Sequence, residues 1–294
     1  MSMESIQPVK TFSIGFEEAA YSELPSARLV AQRFGTDHHE MIVKPDAAEI
    51  LPILVRHFNE PFADSSALPT FYVSRITRQY VTVALSGDGG DESFAGYDNY
   101  RVILNWNRCA RWPVPFRKLL AGGGRKAIGL LPRNNMAARV CKGLAMVAAA
   151  NVKDRRLQYG TILKPEEKQW VYAERFRALI SRPPIPEDPL AAYPWIDGMD
   201  ALDWLMSHDQ LFYLPDCLMV KTDITSMANG LEVRCPFLDH EFVEFAATIP
   251  SSLKRDSSGG KTILKRALSE IMPAEILDRP KMGFRLPVAG WFRT

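Results

Sequence analysis

The sequence predicts an α/β fold: a parallel sheet flanked by helices, followed by a largely helical second half. Three observations predict it. Residues 81–85 (Val-Thr-Val-Ala-Leu) are a short apolar run rich in β-branched side chains, the pattern of a buried parallel strand. That run passes directly into residues 86–92, a turn holding three glycines and three carboxylates. Upstream, strand and helix patterns alternate as β-α-β-α-α-β with short connections, which is how a parallel sheet becomes covered by helices.

Residues 11–16 read as the first strand, ending near Gly15. Residues 25–34 have helical spacing, with Leu24, Leu29, Val30 and Phe34 as candidate buried positions and Gly35 as the stop. Residues 38–43 form the second strand. His38 and His39 invite a metal reading, but neighbours on a strand point to opposite faces and do not share one ion. Asp46 can cap a helix that reaches Phe58. The loop over 60–66 offers carboxylate and hydroxyl groups; it either lines a site or caps the next helix through Asp64 or Ser65. Residues 67–80 are that helix, and Val81 opens the strand described above.

After Tyr100 the pattern changes. Residues 105–115 are aromatic and broken by proline, Gly122 to Gly124 read as a flexible break, and 137–150 are apolar and helical. Residues 181–189 carry four prolines and are expected to be irregular. A helical region is therefore expected over 105–193. Residues 197–216 return to helix, with Leu202, Leu205, Leu211, Phe212 and Leu214 on the apolar side. Residues 218–239 interleave apolar residues with charges that packing would bury. Buried charges must be paired or used, so Lys221, Asp223, Glu232 and Arg234 belong either to a structural ion-pair web or to a functional network.

Composition narrows the function classes. The chain has 294 residues, 47% hydrophobic and 24% charged, which is ordinary globular composition. Lys plus Arg number 36 against 34 Asp plus Glu, a net charge of +2, so there is no electrostatic case for nucleic acid or an anionic membrane. Cys109, Cys141, Cys217 and Cys235 lie far apart, with no CxxC pair to suggest zinc or a disulfide framework. A reduced, cytoplasmic compartment is expected. Both ends of the chain read as cut, because residues 11–16 begin a strand almost at once and 291–294 look like a starting helix.

The chemistry centres on residues 86–92. Glycines let backbone approach a ligand closely, and a helix expected to open at Ser93 and Phe94 would aim free N–H groups at an anion. Carboxylates beside an anion make sense with a divalent cation between them. The turn therefore suggests a Mg-nucleotide site at a strand's carboxyl end; the alternative is a solvated turn whose acids cap the next helix. An EF-hand does not fit the spacing. Lys261 follows two glycines and precedes a helix expected over 262–272, where it either reaches a phosphate or sits on the surface. The full Walker pattern is absent.

Taken together and in order, TFSIGF (11–16), FGTDHHE (34–40), EPFADSS (60–66), VALSGDGGDESFAGY (83–97), DITSMANGLEVRCPFLD (223–239) and GGKTILKRAL (259–268) resemble the synthetase domain of glutamine-hydrolysing asparagine synthetase. The resemblance spans nearly the whole chain. It implies a sheet of the adenine-nucleotide α-hydrolase (ATP pyrophosphatase) type with a helical insertion. It divides the chain into a sheet-containing part, 1–104, the insertion, 105–193, and a helical part completing the active site, 194–294. It also implies ATP and Mg2+, aspartate and ammonia as substrates, and a glutaminase domain, normally on the same chain, that frees the ammonia from glutamine. It allows a homodimer and gives no role to nucleic acid or membrane.

Residue by residue, the resemblance places the Ile14 backbone against adenine and gives Ser86 and Gly87 to the nucleotide. Asp91 matches the carboxylate that holds magnesium on pyrophosphate. Asp88 stands where many members carry Glu, at a position that handles ammonia or aspartate. Lys261 matches a lysine that neutralises phosphate charge, and Asp223 an acid of the aspartate pocket. The family's SGGxDS pyrophosphate loop has no counterpart in this sequence, and the chain by itself is expected to be inactive. In the implied chemistry, the aspartate side chain is adenylated and ammonia then displaces AMP. Readings kept beside it are a related amide-forming amidotransferase, a β-lactam synthetase, and a non-catalytic fragment of such an enzyme.

Overall fold

The computed structural model describes residues 1–16, 22–43, 47–128, 135–160, 170–180, 193 and 198–279. They gather into two compact units, Met1–Gly96 with Asp209–Thr294, and Tyr97–His208. Asp46, the proline-rich stretch 181–189, Asp197 and the end at 291–294 lie outside the described residues.

The first unit begins with β1 (Lys10–Gly15), α1 (Leu24–Phe34) and β2 (Asp37–Ile42). β1 and β2 pair in parallel, from Lys10 opposite Asp37 to Gly15 opposite Ile42. Gly35 ends α1 at φ 58°, the left-handed conformation that glycine adopts without a Cβ penalty. The buried stripe of α1 differs from the expected one: Leu24 and Ala31 are buried, whereas Leu29 is exposed. α2 (Ala47–Phe58) and α3 (Ala67–Thr77) follow. Ile50, Leu54 and Phe58 pack against Leu68 and Phe71, and Val220 and Ile224 close the cluster. Each such side chain fully buried contributes about 1.5–3 kcal/mol.

β3 (Val83–Leu85) departs from the expected buried central strand. It has three residues, and Val83 and Leu85 are 41% and 50% exposed. It pairs in parallel with β4 (Glu232–Arg234), so that one edge alone is covered by a described strand. Among the described residues the strands thus form two separate two-stranded parallel sheets rather than one continuous sheet. The fold is α/β and mostly helical.

The helices of this unit also include α4 (Gly90–Ser93) and, after β4, α12 (His240–Thr248), α13 (Ser251–Lys254), α14 (Thr262–Leu268) and α15 (Ala274–Leu277). Before β4 comes α11 (Val220–Met227), preceded by a π-helical stretch, Asp209–Met219. The single α-helix expected over 197–216 therefore gives way to α10 (Ala201–His208) and then to this wider coil. Pro215, which has no N–H to donate, lies inside the π-helical stretch.

The second unit is helical: α5 (Asp98–Asn107), a 3-10 turn at Arg108–Arg111, α6 (Val114–Ile128), α7 (Asn135–Ala148), α8 (Val152–Gly160), α9 (Glu174–Ile180) and α10. The break expected at Gly122 to Gly124 is instead the middle of α6. At Gly124 a Cβ would stand 2.8 Å from Leu144 Cδ1, so this glycine admits the α7 side chain. Packing has overridden helix propensity there.

Candidate active site

The site grows out of the end of β3. Ser86 N–H donates to the Arg234 carbonyl at 2.9 Å, carrying the strand pairing one residue into the turn. Ser86 Oγ then donates to Asp88 Oδ2 at 2.6 Å. Gly89 takes φ 91°, where a Cβ would stand 2.2 Å from Leu238 Cδ2. That left-handed step closes the turn early, so α4 opens at Gly90 and not at Ser93 and Phe94 as expected. Asp91 and Glu92 consequently lie inside the short helix.

Asp91 meets a residue from far along the chain. Lys261 Nζ lies 3.0 Å from Asp91 Oδ1, with the two side chains 30% and 17% exposed. The approach is set by backbone. Lys261 N–H donates to the Phe94 carbonyl at 2.8 Å, and Lys261 itself stands at φ 60°. Arg255, buried, bridges Gly260 and donates from Nη1 to the Ala95 carbonyl at 2.8 Å. A Cβ on Gly260 would lie 1.9 Å from that same carbonyl oxygen. A Cβ on Gly96 would lie 1.8 Å from Asp91 Oδ1 and 2.6 Å from Lys261 Cε. Backbone closes the space at Gly260, whereas at Gly96 the Asp91 and Lys261 side chains fill it.

A second chain of contacts reaches Asp88 from α11. Thr222 Oγ1 donates to Asp88 Oδ2 at 3.4 Å. Its neighbour Lys221, buried, donates to Ser66 Oγ at 2.9 Å and lies 3.3 Å from Asp64 Oδ2. Ser66 donates to Asp64 Oδ1 from both N and Oγ, at 2.9 and 2.7 Å. Burial pushes the Asp64 carboxyl up, but the Ser66 hydrogen bonds and the Lys221 ammonium together outweigh it, and Asp64 titrates below the ordinary carboxylate range. Burial, with the Asp64 carboxylate second, raises the Cys217 thiol. Burial and the Asp88 carboxylate likewise raise Cys235, against a hydrogen bond with Ser86. Both thiols are therefore poor nucleophiles at neutral pH.

A conserved-domain model described as Asparagine synthase matches residues 1–294, the full length of the chain. The chain belongs to the asparagine synthase family. It is 29% identical over 287 residues to asparagine synthetase [glutamine-hydrolyzing] 1 of Bacillus subtilis, a match covering 97% of this chain and 44% of that protein. It is 31% identical over 294 residues to a putative asparagine synthetase [glutamine-hydrolyzing] of Mycobacterium tuberculosis H37Rv, covering 97% of this chain and 42% of that protein. A more distant match, 26% identical over 320 residues, is the amidase chyE of Penicillium rubens, covering 96% and 44%. The chain thus spans less than half the length of these curated relatives.

In this asparagine synthase chain, Asp91 and Lys261 come together, as do Ser86 and Asp88. Gly87 is exposed between them. Ile14 stands on the other strand pair, buried on β1, in the wall of a cavity of about 290 Å³ lined also by Ser13, Ser26, Val73 and Arg279. Asp223 is exposed on α11, beside Thr222. The expected buried web over 218–239 is corrected: Lys221 is buried, whereas Asp223 is exposed and Glu232 and Arg234 pair with each other at 2.7 Å in the open. β4 has its charged side chains on the face that no described element covers. Thr222 and the Asp64–Lys221 pairing had no local signal, because both join segments far apart in sequence.

The residues fit a magnesium ion in a limited sense. Among the described residues no three His, Cys, Asp or Glu side chains converge into a cage. Mg2+ does not need one: it keeps several waters and takes one or two carboxylates plus phosphate oxygens. Asp91 supplies one carboxylate; its Oδ1 is buried against Gly96 and Lys261, while the side chain as a whole is 17% exposed. Among the described residues no helix is long and apolar enough to cross a membrane.

Proposed function

We propose that this chain is the ATP-dependent synthetase portion of an asparagine synthetase, with the strand pairs belonging to an adenine-nucleotide α-hydrolase sheet. The observation that carries the reading is the meeting of Lys261 with Asp91 at the mouth of β3. A lysine and an acid at one point, beside a glycine turn, match the needs of a metal-bound polyphosphate. Asp91 would hold Mg2+, which would neutralise charge on the departing pyrophosphate. Lys261 would take the phosphate oxygens. Ser86 and Gly87 would contact the nucleotide, and Ile14 would meet adenine through its backbone.

The reaction forms a bond between the aspartate side-chain oxygen and the α-phosphorus of ATP, and pyrophosphate leaves. Ammonia, freed from glutamine by a glutaminase domain, then attacks the acyl carbon of β-aspartyl-AMP, and AMP departs. Asp88, which accepts hydrogen bonds from Ser86 and Thr222, would take the proton that the attacking nitrogen sheds. Asp223 would lie in the aspartate pocket. The likeness to the amidase chyE keeps a second reading open, in which the same chemistry amidates a different carboxylate.

The test is product formation by the chain extended at its amino terminus through the family's pyrophosphate loop to a glutaminase domain, with Mg-ATP, glutamine and a panel of carboxylates. Asparagine and pyrophosphate should appear in equal amounts with aspartate. Lys261→Ala should lower the rate by about a hundredfold or more, the scale of losing one charge-stabilising donor. Amidation of another carboxylate in preference to aspartate would overturn the substrate assignment and favour the second reading.

A further inference from the structure

We infer that Lys261 guards the Asp91 carboxylate, so that divalent metal and polyphosphate enter the site only together. The inference rests on the proposed nucleotide site and concerns how it is loaded. The Lys261 ammonium lies 3.0 Å from Asp91 Oδ1, an oxygen that is already buried against Gly96. A magnesium or manganese ion bonded to this carboxylate at about 2.1 Å would face the ammonium at close range. Two cations on one carboxylate repel, and the partly buried setting screens them poorly.

The lysine does not retreat with its backbone. Its N–H is tied to the Phe94 carbonyl, and its carbonyl accepts from Lys265 N–H at 2.8 Å. The preceding hairpin is latched by Arg255 on Ala95 and fits closely only with glycine at 260. Only side-chain torsions are left to move Nζ. Leaving Asp91 without a new anion would strand both charges in a largely buried place, which costs much more than an exposed pair does. A polyphosphate provides that anion: its oxygens can receive the ammonium while Asp91 turns to the metal. Each ligand thereby favours the other, and the coupling is reciprocal.

Binding of Mn2+ to the 294-residue chain, read by electron paramagnetic resonance of the free ion, tests this directly and needs no turnover. The wild-type chain should bind Mn2+ weakly alone and about tenfold or more tightly once pyrophosphate is added, after correction for the Mn-pyrophosphate complex in solution. Lys261→Met should bind Mn2+ alone about tenfold more tightly than wild type. Lys261→Arg, which keeps the charge, should stay weak. Asp91→Asn should abolish binding in every case, with folding of each variant checked by circular dichroism. If Lys261→Met binds Mn2+ no better than wild type while binding still requires Asp91, the guarding role is overturned and the metal site stands. If no variant binds Mn2+ even with pyrophosphate, in this chain and in one extended at its amino terminus to include the family's pyrophosphate loop, the metal-nucleotide site itself is wrong and the guarding role fails with it.

Discussion

At the scale of single residues, the contacts around Asp64 carry a measurable signature. Its carboxylate is held by two donors from Ser66 and lies against the Lys221 ammonium in a partly buried place. Its folded-state pKa is lowered, so the unfolded chain binds more protons at mildly acid pH. The stability it contributes is present above the ordinary Asp value, near pH 4, and is lost as pH falls through the folded value. Asp64→Asn should therefore cost about 2 kcal/mol at pH 7, since it leaves Lys221 charged and buried with a weaker partner. The gap between variant and wild type should close as pH falls below about 4. Urea unfolding across that range checks it. The same variant removes a carboxylate that helps keep Cys217 protonated, so Cys217 should alkylate faster.

At the scale of elements, two buried arginines hold the end of α7. Arg117 donates to the carbonyls of Trp112, Val147, Ala149 and Ala150, and Arg155 donates to Ala149 and to Asn107 Oδ1. Helix C-terminal carbonyls have no partners within the helix, and they carry the negative end of its dipole. Burial, then the neighbouring Arg117 charge, lowers Arg155, which records the strain of placing two cations there. Arg117→Met keeps the bulk but removes this donor from the Trp112, Val147 and Ala150 carbonyls and leaves Ala149 with Arg155 alone. It should destabilise the second unit by about 3 kcal/mol, seen as an earlier melting of helix by circular dichroism. Such devices explain what was legible in the sequence. The helices α1 to α3, the strands β1 and β2 and the glycine turn after β3 have local periodicity or turn chemistry and could be read directly. The Gly122 to Gly124 run could not, because the contact that uses one of its glycines, Gly124 against Leu144, comes from another helix. Lys261 and Asp91 were readable through motifs on separate segments. Arg255, Thr222 and the partner of Lys221 were not, because each acts only once distant segments meet.

At the scale of the whole molecule, the first unit is built from two separated stretches and the second from one continuous stretch. The ends that flank the second unit lie close together on the first: Gln210 Nε2 donates to the Glu92 carbonyl at 3.3 Å, and α4 packs against the π-helical stretch. A unit whose entry and exit points are neighbours can be replaced by a short linker with little cost in loop entropy. The contacts described around Asp88, Asp91 and Lys261 come from Ser86, Phe94, Ala95, Thr222 and Arg255, all in the first unit. Replacing 97–208 by a flexible linker of a few Gly and Ser residues should therefore leave a protein that unfolds cooperatively in urea. Its slope with denaturant should be smaller than that of the full chain, because less surface is exposed on unfolding. Its pyrophosphate-dependent Mn2+ binding should remain within about threefold of the full chain's, well inside one factor of ten, or 1.4 kcal/mol. A linker variant that folds but has lost this binding would mean that the helical unit itself builds the nucleotide site, and that the glycine turn and its lysine are not sufficient to form it.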